Sequence, residues 1–282
     1  MKIAVHLHLF YKEMAGLFLN KLKNLPPNSF DLFVTLSDKD EELIEQIQKS
    51  YPQAKIKVIE NRGYDIGPFI YFLHQIDLSK YDLILKLHAK NDKGNQIIRL
   101  NNRQLTRYCW SHLLIDSLIK DKKTINKNLV AFEQKTTLGM IGSNYLLCSV
   151  KKNSIPSVFS GFEEEMFKLF PKDKQRQDYH FIAGTMFFVR AKLLEKVKEK
   201  YHFSSFEKTD GRKRDGTLAH ILERVFGAIV IQQGFVIEGF DFSIGLCLNK
   251  IFSFFFKVKI TKKGYFVIKF LKIPICRKRV EE

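Results

Sequence analysis

Four cysteines are scattered over the 282 residues, at 109, 148, 247 and 276, and no two form a C-x-x-C pair. That spacing argues against a structural zinc or a disulfide framework and for reduced thiols in a cytosolic setting. No apolar run approaches the roughly 20 residues of a membrane-spanning helix. The longest aromatic cluster, Ile251 to Phe256, is far shorter. No internal repeat stands out, so solenoid and propeller architectures are not indicated. Carboxylates are missing from one stretch altogether. None lies between Asp241 and Glu281, where Lys250 to Arg279 holds ten Lys or Arg.

What is present is a chain able to bury one sizeable core, at 45% hydrophobic residues, with a formal net charge of +17. Such a chain seeks anions: nucleic acid, an acidic membrane surface or phosphate-bearing substrates. The first half alternates strand and helix patterns. Residues 3–10 read as a strand, 15–22 as a helix, 31–36 as a strand and 41–49 as an amphipathic helix. Residues 56–59 follow as a strand, 68–73 open a helix and 81–88 form a fourth strand. Repeated β-α-β order predicts an α/β fold with a mainly parallel sheet. The N-terminal ten residues carry His6 and His8 on one alternating face, which fits a half-buried strand rather than a signal peptide.

Further along, the pattern predicts helix over about 97–120 and a short apolar piece at 138–142. A polar, proline-interrupted excursion is expected at 151–178, then a buried strand at 181–189. A helix is expected at 215–226, with Asp215 as its N-cap and an apolar stripe of Leu218, Ile221, Leu222, Val225 and Phe226. Alternation resumes at 228–237. Residues 246–282 separate from the body (1–245) as a basic-aromatic tail. There Phe256-Lys-Val-Lys-Ile260 and Val267 to Ile273 read as short strands with one greasy and one cationic face. Such a tail suits an anionic membrane surface, or else a hairpin packed on the body.

Two segments carry chemistry. In Asn61-Arg-Gly-Tyr-Asp-Ile-Gly-Pro68, Gly63 permits a tight turn and Pro68 the first turn of a helix. Backbone amides there would face an anionic ligand, with Arg62 and Asp65 as polar anchors, unless those two merely pair with each other. In the strand ending Lys86-Leu-His-Ala-Lys90, the residues Lys86, His88 and Lys90 share the face opposite Leu83, Leu85 and Leu87. A cationic end on a buried parallel strand would neutralise a diphosphate, although Lys90 alone also fits a solvated loop. His6 and His8 would border the same pocket. No nearby carboxylate completes a metal site with them. Gly184 and Thr185 interrupt a bulky strand, which admits close approach of an acceptor or of another backbone.

These landmarks resemble the rhamnan synthesis protein F family of bacterial polysaccharide glycosyltransferases. The match runs through Val5-His-Leu-His-Leu-Phe-Tyr11, Phe30-Asp-Leu-Phe-Val-Thr35 and Asn61-Arg-Gly-Tyr-Asp65. It continues in Lys86-Leu-His-Ala-Lys90, Phe181-Ile-Ala-Gly-Thr-Met-Phe187 and Asp215-Gly-Thr-Leu-Ala-His-Ile-Leu-Glu-Arg224. The order is also similar to family-2 nucleotide-sugar transferases of the GT-A type, which carry Asp-x-Asp where this chain has Leu87-His-Ala-Lys90.

The resemblance implies a GT-A-like transferase moving a deoxyhexose such as rhamnose from a nucleotide diphosphate to a lipid-linked surface glycan. It further implies inversion, with Asp215 as general base and Glu223 in reserve, and Thr35 near the nucleobase. His88 and Lys90 would then stabilise the leaving diphosphate, while Asn61, Arg62, Gly63 and Asp65 hold the donor with His6 and His8. No cofactor is expected, since the Asp-x-Asp that binds Mg²⁺ or Mn²⁺ is missing, although a divalent metal stays open. The expected location is cytoplasmic, peripheral on the inner face of the plasma membrane. An inactive transferase-like module that binds glycan or scaffolds synthesis is the alternative. Nucleic acid is not an expected partner, because the charge sits largely in one tail and no recognised motif accompanies it.

Overall fold

The computed structural model describes residues 1–90, 96–173, 178–209, 216–261, 265–271 and 273–279. Strand β1 (Ile3–Leu9), helix α1 (Ala15–Leu22), β2 (Phe30–Leu36), α2 (Glu41–Ser50), β3 (Lys55–Val58), α3 (Ile66–Gln75) and β4 (Leu83–His88) follow in chain order. They match the alternation read from the sequence to within a few residues. The Asp40 side chain caps α2 by accepting the Leu43 N–H at 3.0 Å.

The next region departs from expectation. Residues 97–106 form a hairpin, β5 (Ile97–Leu100) with β6 (Arg103–Thr106), and helix α4 (Arg107–Ile119) begins only after it. Asn101 and Asn102 turn the hairpin with φ of 49° and 61°. That left-handed pair is what a two-residue hairpin loop requires. Helix α5 (Lys122–Gln134), β7 (Leu138–Ile141) and β8 (Leu147–Ser149) follow. The expected polar excursion at 151–178 contains helix α6 (Pro156–Leu169), with Pro156 in its first turn and Val158, Phe162, Met166 and Leu169 buried along one stripe.

The expected strand at 181–189 is two strands. Short β9 (His180–Ile182) pairs with β8, whereas β10 (Phe187–Arg190) joins the main sheet. Between them Gly184 and Thr185 take φ of 94° and 53°, which breaks any continuous ladder. Helices α7 (Glu195–Lys200) and α8 (Leu218–Gln232), then β11 (Val236–Glu238), complete the body. Helix α8 starts at Leu218 with Thr217 in the N-cap position, so the cap is not Asp215, which lies outside the described residues. It also runs through 228–232, where strand-like alternation was expected. Gly227 does not end it. A Cβ there would stand 2.1 Å from the His180 carbonyl oxygen, so glycine lets α8 lie directly on β9.

The main sheet has seven strands in the order β11-β7-β10-β4-β1-β2-β3. It is parallel between β1 and β2, β1 and β4, β2 and β3, and β7 and β11, with β10 antiparallel to both neighbours. From β1 the chain runs outward through β2 to β3, then returns to place β4 on the other side of β1. The carboxyl ends of β1 and β4 therefore flank a topological switch point, where open α/β sheets leave a crevice. Below it α3 packs Phe69 and Phe72 against the sheet, and Phe69 meets Phe187 and Phe226 edge-on, with ring centroids 6.1 and 5.4 Å away.

The tail begins with helix α9 (Ile244–Phe255), which the sequence pattern did not suggest, and continues into β12 (Phe256–Ile260), β13 (Tyr265–Phe270) and β14 (Ile273–Arg279). These strands form an antiparallel three-stranded sheet apart from the main one.

Candidate active site

At the switch point the register sets His6 beside Lys86 and His8 beside both His88 and Thr35. Side-chain alternation puts these residues on one face of the sheet. Lys86 is wholly buried, and its ammonium reaches Asp65 Oδ2 at 2.5 Å, the Thr185 carbonyl at 3.0 Å and Thr185 Oγ1 at 3.1 Å. Three acceptors match the three N–H donors of an ammonium, so the buried charge is fully partnered. Thr185 Oγ1 in turn donates to Asp65 Oδ2. Asp65, at the start of α3, thus joins β4 to the turn between β9 and β10.

Burial alone would raise the Asp65 carboxyl, but the His88 ring and the Lys86 and Lys90 ammonium groups around it more than reverse this and hold it well below the usual carboxylate range. Burial also pushes His88 well below the ordinary imidazole value, against the pull of Asp65. His88 is therefore neutral at pH 7, and Lys86 is the steady counter-charge of Asp65. Burial lowers Lys86 and Lys90 as well, while Asp65 opposes the effect at both. His8 is pushed down to about 4, chiefly by burial.

A cavity of about 510 Å³ opens above this layer. Its walls include His8, Asn61, Asp65, His88, Lys90 and Arg107, with Phe10, Tyr11, Tyr64 and Trp110 as aromatic surfaces. Lys90 lies 4.0 Å over the Trp110 ring, and Gln96 accepts from Arg107 Nε at 2.8 Å. A second cavity of about 270 Å³ adjoins it, sharing Tyr64, Asp65, Lys90 and Trp110 and adding Gly184, Thr185, His220 and Glu223. Glu223 Oε1 accepts the Gly184 N–H at 2.7 Å and Oε2 accepts from Arg224 at 2.6 Å. Both ring nitrogens of buried His88, and the indole nitrogen of Trp110, lack hydrogen-bond partners. Buried polar groups are seldom left so, and these line a cavity.

The structure thus gathers His8, Asn61, Asp65, His88 and Lys90 in one compartment, and Gly184 and Thr185 in the next. Four other expected donor contacts stand elsewhere. His6 is fully buried one rung deeper, stacked on Phe72 at 4.8 Å, with Nε2 3.0 Å from Thr35 Oγ1. Thr35 spends its hydroxyl on His6 and His8 and does not line the cavity. Gly63 packs under the Phe206 ring. Arg62 pairs with Glu60 and donates to the Phe206 carbonyl at 2.9 Å, so it pins residues 206–209 rather than pairing with Asp65. Asn61 supports the same segment through Thr209.

The pattern reading passed over Lys86 as the partner of Asp65, and Arg107 and Trp110 at the start of α4. Trp110 is the only tryptophan in the chain, a signal available but unused.

A set able to hold a hard divalent cation needs several oxygen ligands. Here the Asp65 carboxylate is engaged by Lys86 and Thr185, and the Lys90 ammonium shares its compartment. Among the described residues no group of three or more His, Cys, Asp or Glu is placed to hold a metal. These residues do not fit a divalent ion.

The chain belongs to the rhamnan synthesis protein F family, whose model matches residues 1–235. The uncharacterized protein WxcX of two Xanthomonas campestris pv. campestris strains is 25% identical over 251 residues, 86% of this chain but 33% of the relative. The chain therefore spans about a third of the length of those relatives. Among solved structures, S. aureus TarS 1-349 in complex with UDP aligns at TM-score 0.45 and 13% identity, covering 86% of this chain and 59% of that one. Glucosyl-3-phosphoglycerate synthase of Mycobacterium tuberculosis aligns at TM-score 0.35 and 8% identity, covering 99% and 90%.

Proposed function

We propose that this member of the rhamnan synthesis protein F family is a GT-A-like glycosyltransferase. It moves a sugar, a deoxyhexose such as rhamnose, from a nucleotide diphosphate to a lipid-linked surface glycan at the inner face of the plasma membrane. The observation that carries the reading is the cavity at the switch point. There Lys90 and Arg107 face the space, the carboxylate Asp65 is already offset by Lys86, and the His88 ring has unfilled hydrogen-bonding capacity. Such a compartment favours an anion, and a pyrophosphate with an aromatic-walled base fits its size and lining.

In this scheme the nucleotide diphosphate occupies the larger compartment and the acceptor the smaller, with the transferred sugar between them over Asp65 and Lys90. Charge builds on the leaving diphosphate as the glycosidic bond breaks. Lys90 offsets it without a divalent cation, and His88 contributes a neutral N–H donor rather than a fixed charge. A carboxylate takes the proton of the acceptor hydroxyl in a single inverting displacement. Asp215, in the segment ahead of α8, is the base; Glu223, a wall of the smaller compartment, orients the acceptor.

A panel of nucleotide sugars tested for thermal stabilisation identifies the donor. Asp215→Asn is then expected to keep donor stabilisation and lose turnover by about 10²-fold or more. Glu223→Gln should chiefly raise the acceptor KM. If no nucleotide sugar stabilises the protein, the non-catalytic scaffold reading takes its place.

A further inference from the structure

We propose that α9 and the groove between it and the β5–β6 hairpin dock the protein on an anionic membrane, α9 lying in the headgroup plane and the groove taking lipid phosphates. The proposal deepens the lipid-linked acceptor reading and rests on it only for the expectation that the acceptor is membrane-bound. Its observations all lie outside the cleft, and the residues of α9 lie beyond the 1–235 span of the family match.

Helix α9 is turned inside out. Ile244, Leu248, Ile251, Phe252 and Phe255 recur at 4-3-1-3 spacing on one stripe and are 67, 58, 60, 45 and 40% exposed. An amphipathic helix on a soluble body ordinarily buries that stripe. Here the opposite face is fastened down instead. Asn249 Oδ1 accepts the Gln104 N–H, and Asn249 Nδ2 donates to the Gln104 carbonyl, each at 3.1 Å. The Gln104 amide then donates to the Phe256 carbonyl at 2.7 Å and accepts the Val258 N–H at 2.6 Å. Arg103 adds a bond to the Leu246 carbonyl at 3.3 Å. The orientation of α9 is therefore fixed by its polar side, and its greasy side faces outward. Phe255 and Phe256 continue the ridge onto Phe270 of β13, with ring centroids 6.4 and 5.2 Å away.

Beside this ridge lies a groove of about 980 Å³ walled by Arg99, Arg103, Lys152, Lys250 and Lys257 together with Phe254. None of these five cations has a carboxylate partner among the described residues. A continuous apolar ridge next to cations without carboxylate partners is the combination an anionic bilayer interface satisfies, tails on one side and phosphates on the other. A helix of 12 residues is too short to cross a bilayer, and no described helix is long and apolar enough to do so. It therefore lies on the surface. A second copy of the chain would cover the ridge without needing the cations, and a nucleic acid would use the cations without needing the ridge. The hairpin also ties this face to the cleft. Ile98 lines the donor-side cavity while its neighbour Arg99 lines the groove, so one two-stranded wall separates them.

The test is flotation of the full chain with vesicles of phosphatidylcholine alone or with about one third phosphatidylglycerol. The wild type is expected to partition at least about tenfold better onto the anionic vesicles. Ile251→Glu with Phe254→Glu should abolish that binding at every salt concentration. Lys152→Glu with Lys250→Glu should remove the preference for anionic over neutral vesicles. Both variants should keep the thermal shift given by a nucleotide sugar, so failure of docking and failure of the transferase reading are told apart. Three outcomes overturn the proposal. One is wild-type protein that ignores anionic vesicles. Another is a lipid-free dimer that Ile251→Glu with Phe254→Glu dissociates. The third is oligonucleotide binding as tight as vesicle binding and indifferent to that double substitution.

Discussion

Asp65 and Lys86 hold the cleft together: Lys86 is wholly buried and Asp65, 19% exposed, is the only carboxylate its ammonium reaches. Lys86→Met would leave a carboxylate in a low-dielectric site without its cation, and should destabilise the fold by about 3–5 kcal/mol in denaturant melts. Adding Asp65→Asn should recover part of that loss, because the double variant buries no unpaired charge; a loss that grows with the second substitution would contradict the pairing. The layer also sets a pH dependence. His8 titrates near 4 in the fold against an ordinary value of 6.5, and His6 and His88 are depressed in the same direction. Below about pH 6.5 the unfolded chain binds these protons and the native one does not, so stability is full above that value and falls toward pH 4. The decline approaches roughly 1.4 kcal/mol per pH unit for each histidine. Asp65, also depressed, keeps its contribution across this window and loses it only in stronger acid. Urea midpoints at pH 7, 6 and 5 should drop steadily, and His8→Asn should flatten the drop. At this scale the alternation of Lys86 with the leucines was legible. Its partner, 21 residues upstream, was not, because only the return of the chain through α3 from β3 to β4 brings the two together.

Elements whose apolar period was clean were readable, and those whose signals conflicted were not. Strands β1, β2 and β4 declare themselves as short apolar runs, although β1 is buried on both faces and not half-buried as its alternation suggested. The hairpin at 97–106 was hidden by clustered Ile97, Ile98, Leu100 and Leu105, which mimic a helical stripe, although Asn101-Asn102 is the turn signal. Helix α6 was obscured by Pro156, whose first-turn position starts a helix instead of ending it. Helix α8 outran its expected end because Gly227 serves packing, not termination. Gly227→Ala would push a methyl into the His180 carbonyl. It should cost about 1–3 kcal/mol or more and shift the β9–β10 turn that carries Gly184 and Thr185. A thermal melt unchanged by this substitution would show that α8 does not pack as described.

Across the whole molecule, the seven-stranded sheet and its crevice follow from the β-α-β order of the first half. The site is assembled from segments as distant as 61, 107, 185 and 223 and so had to be seen folded. The tail was legible in composition and strand pattern but not in α9, whose helical stripe runs into the aromatic cluster at 251–256 and the strand-like alternation after it. What unites body and site is charge: in the proposed transferase the Lys90 ammonium in the cleft offsets the leaving diphosphate. Turnover of the best nucleotide sugar, assayed with EDTA and again with added Mn²⁺, tests this most directly when wild type is compared with Lys90→Met. The account predicts wild-type turnover indifferent to EDTA and a loss of about 10²–10³-fold in Lys90→Met that Mn²⁺ does not restore. Turnover abolished by EDTA and restored by Mn²⁺, or a fully active Lys90→Met, would contradict it.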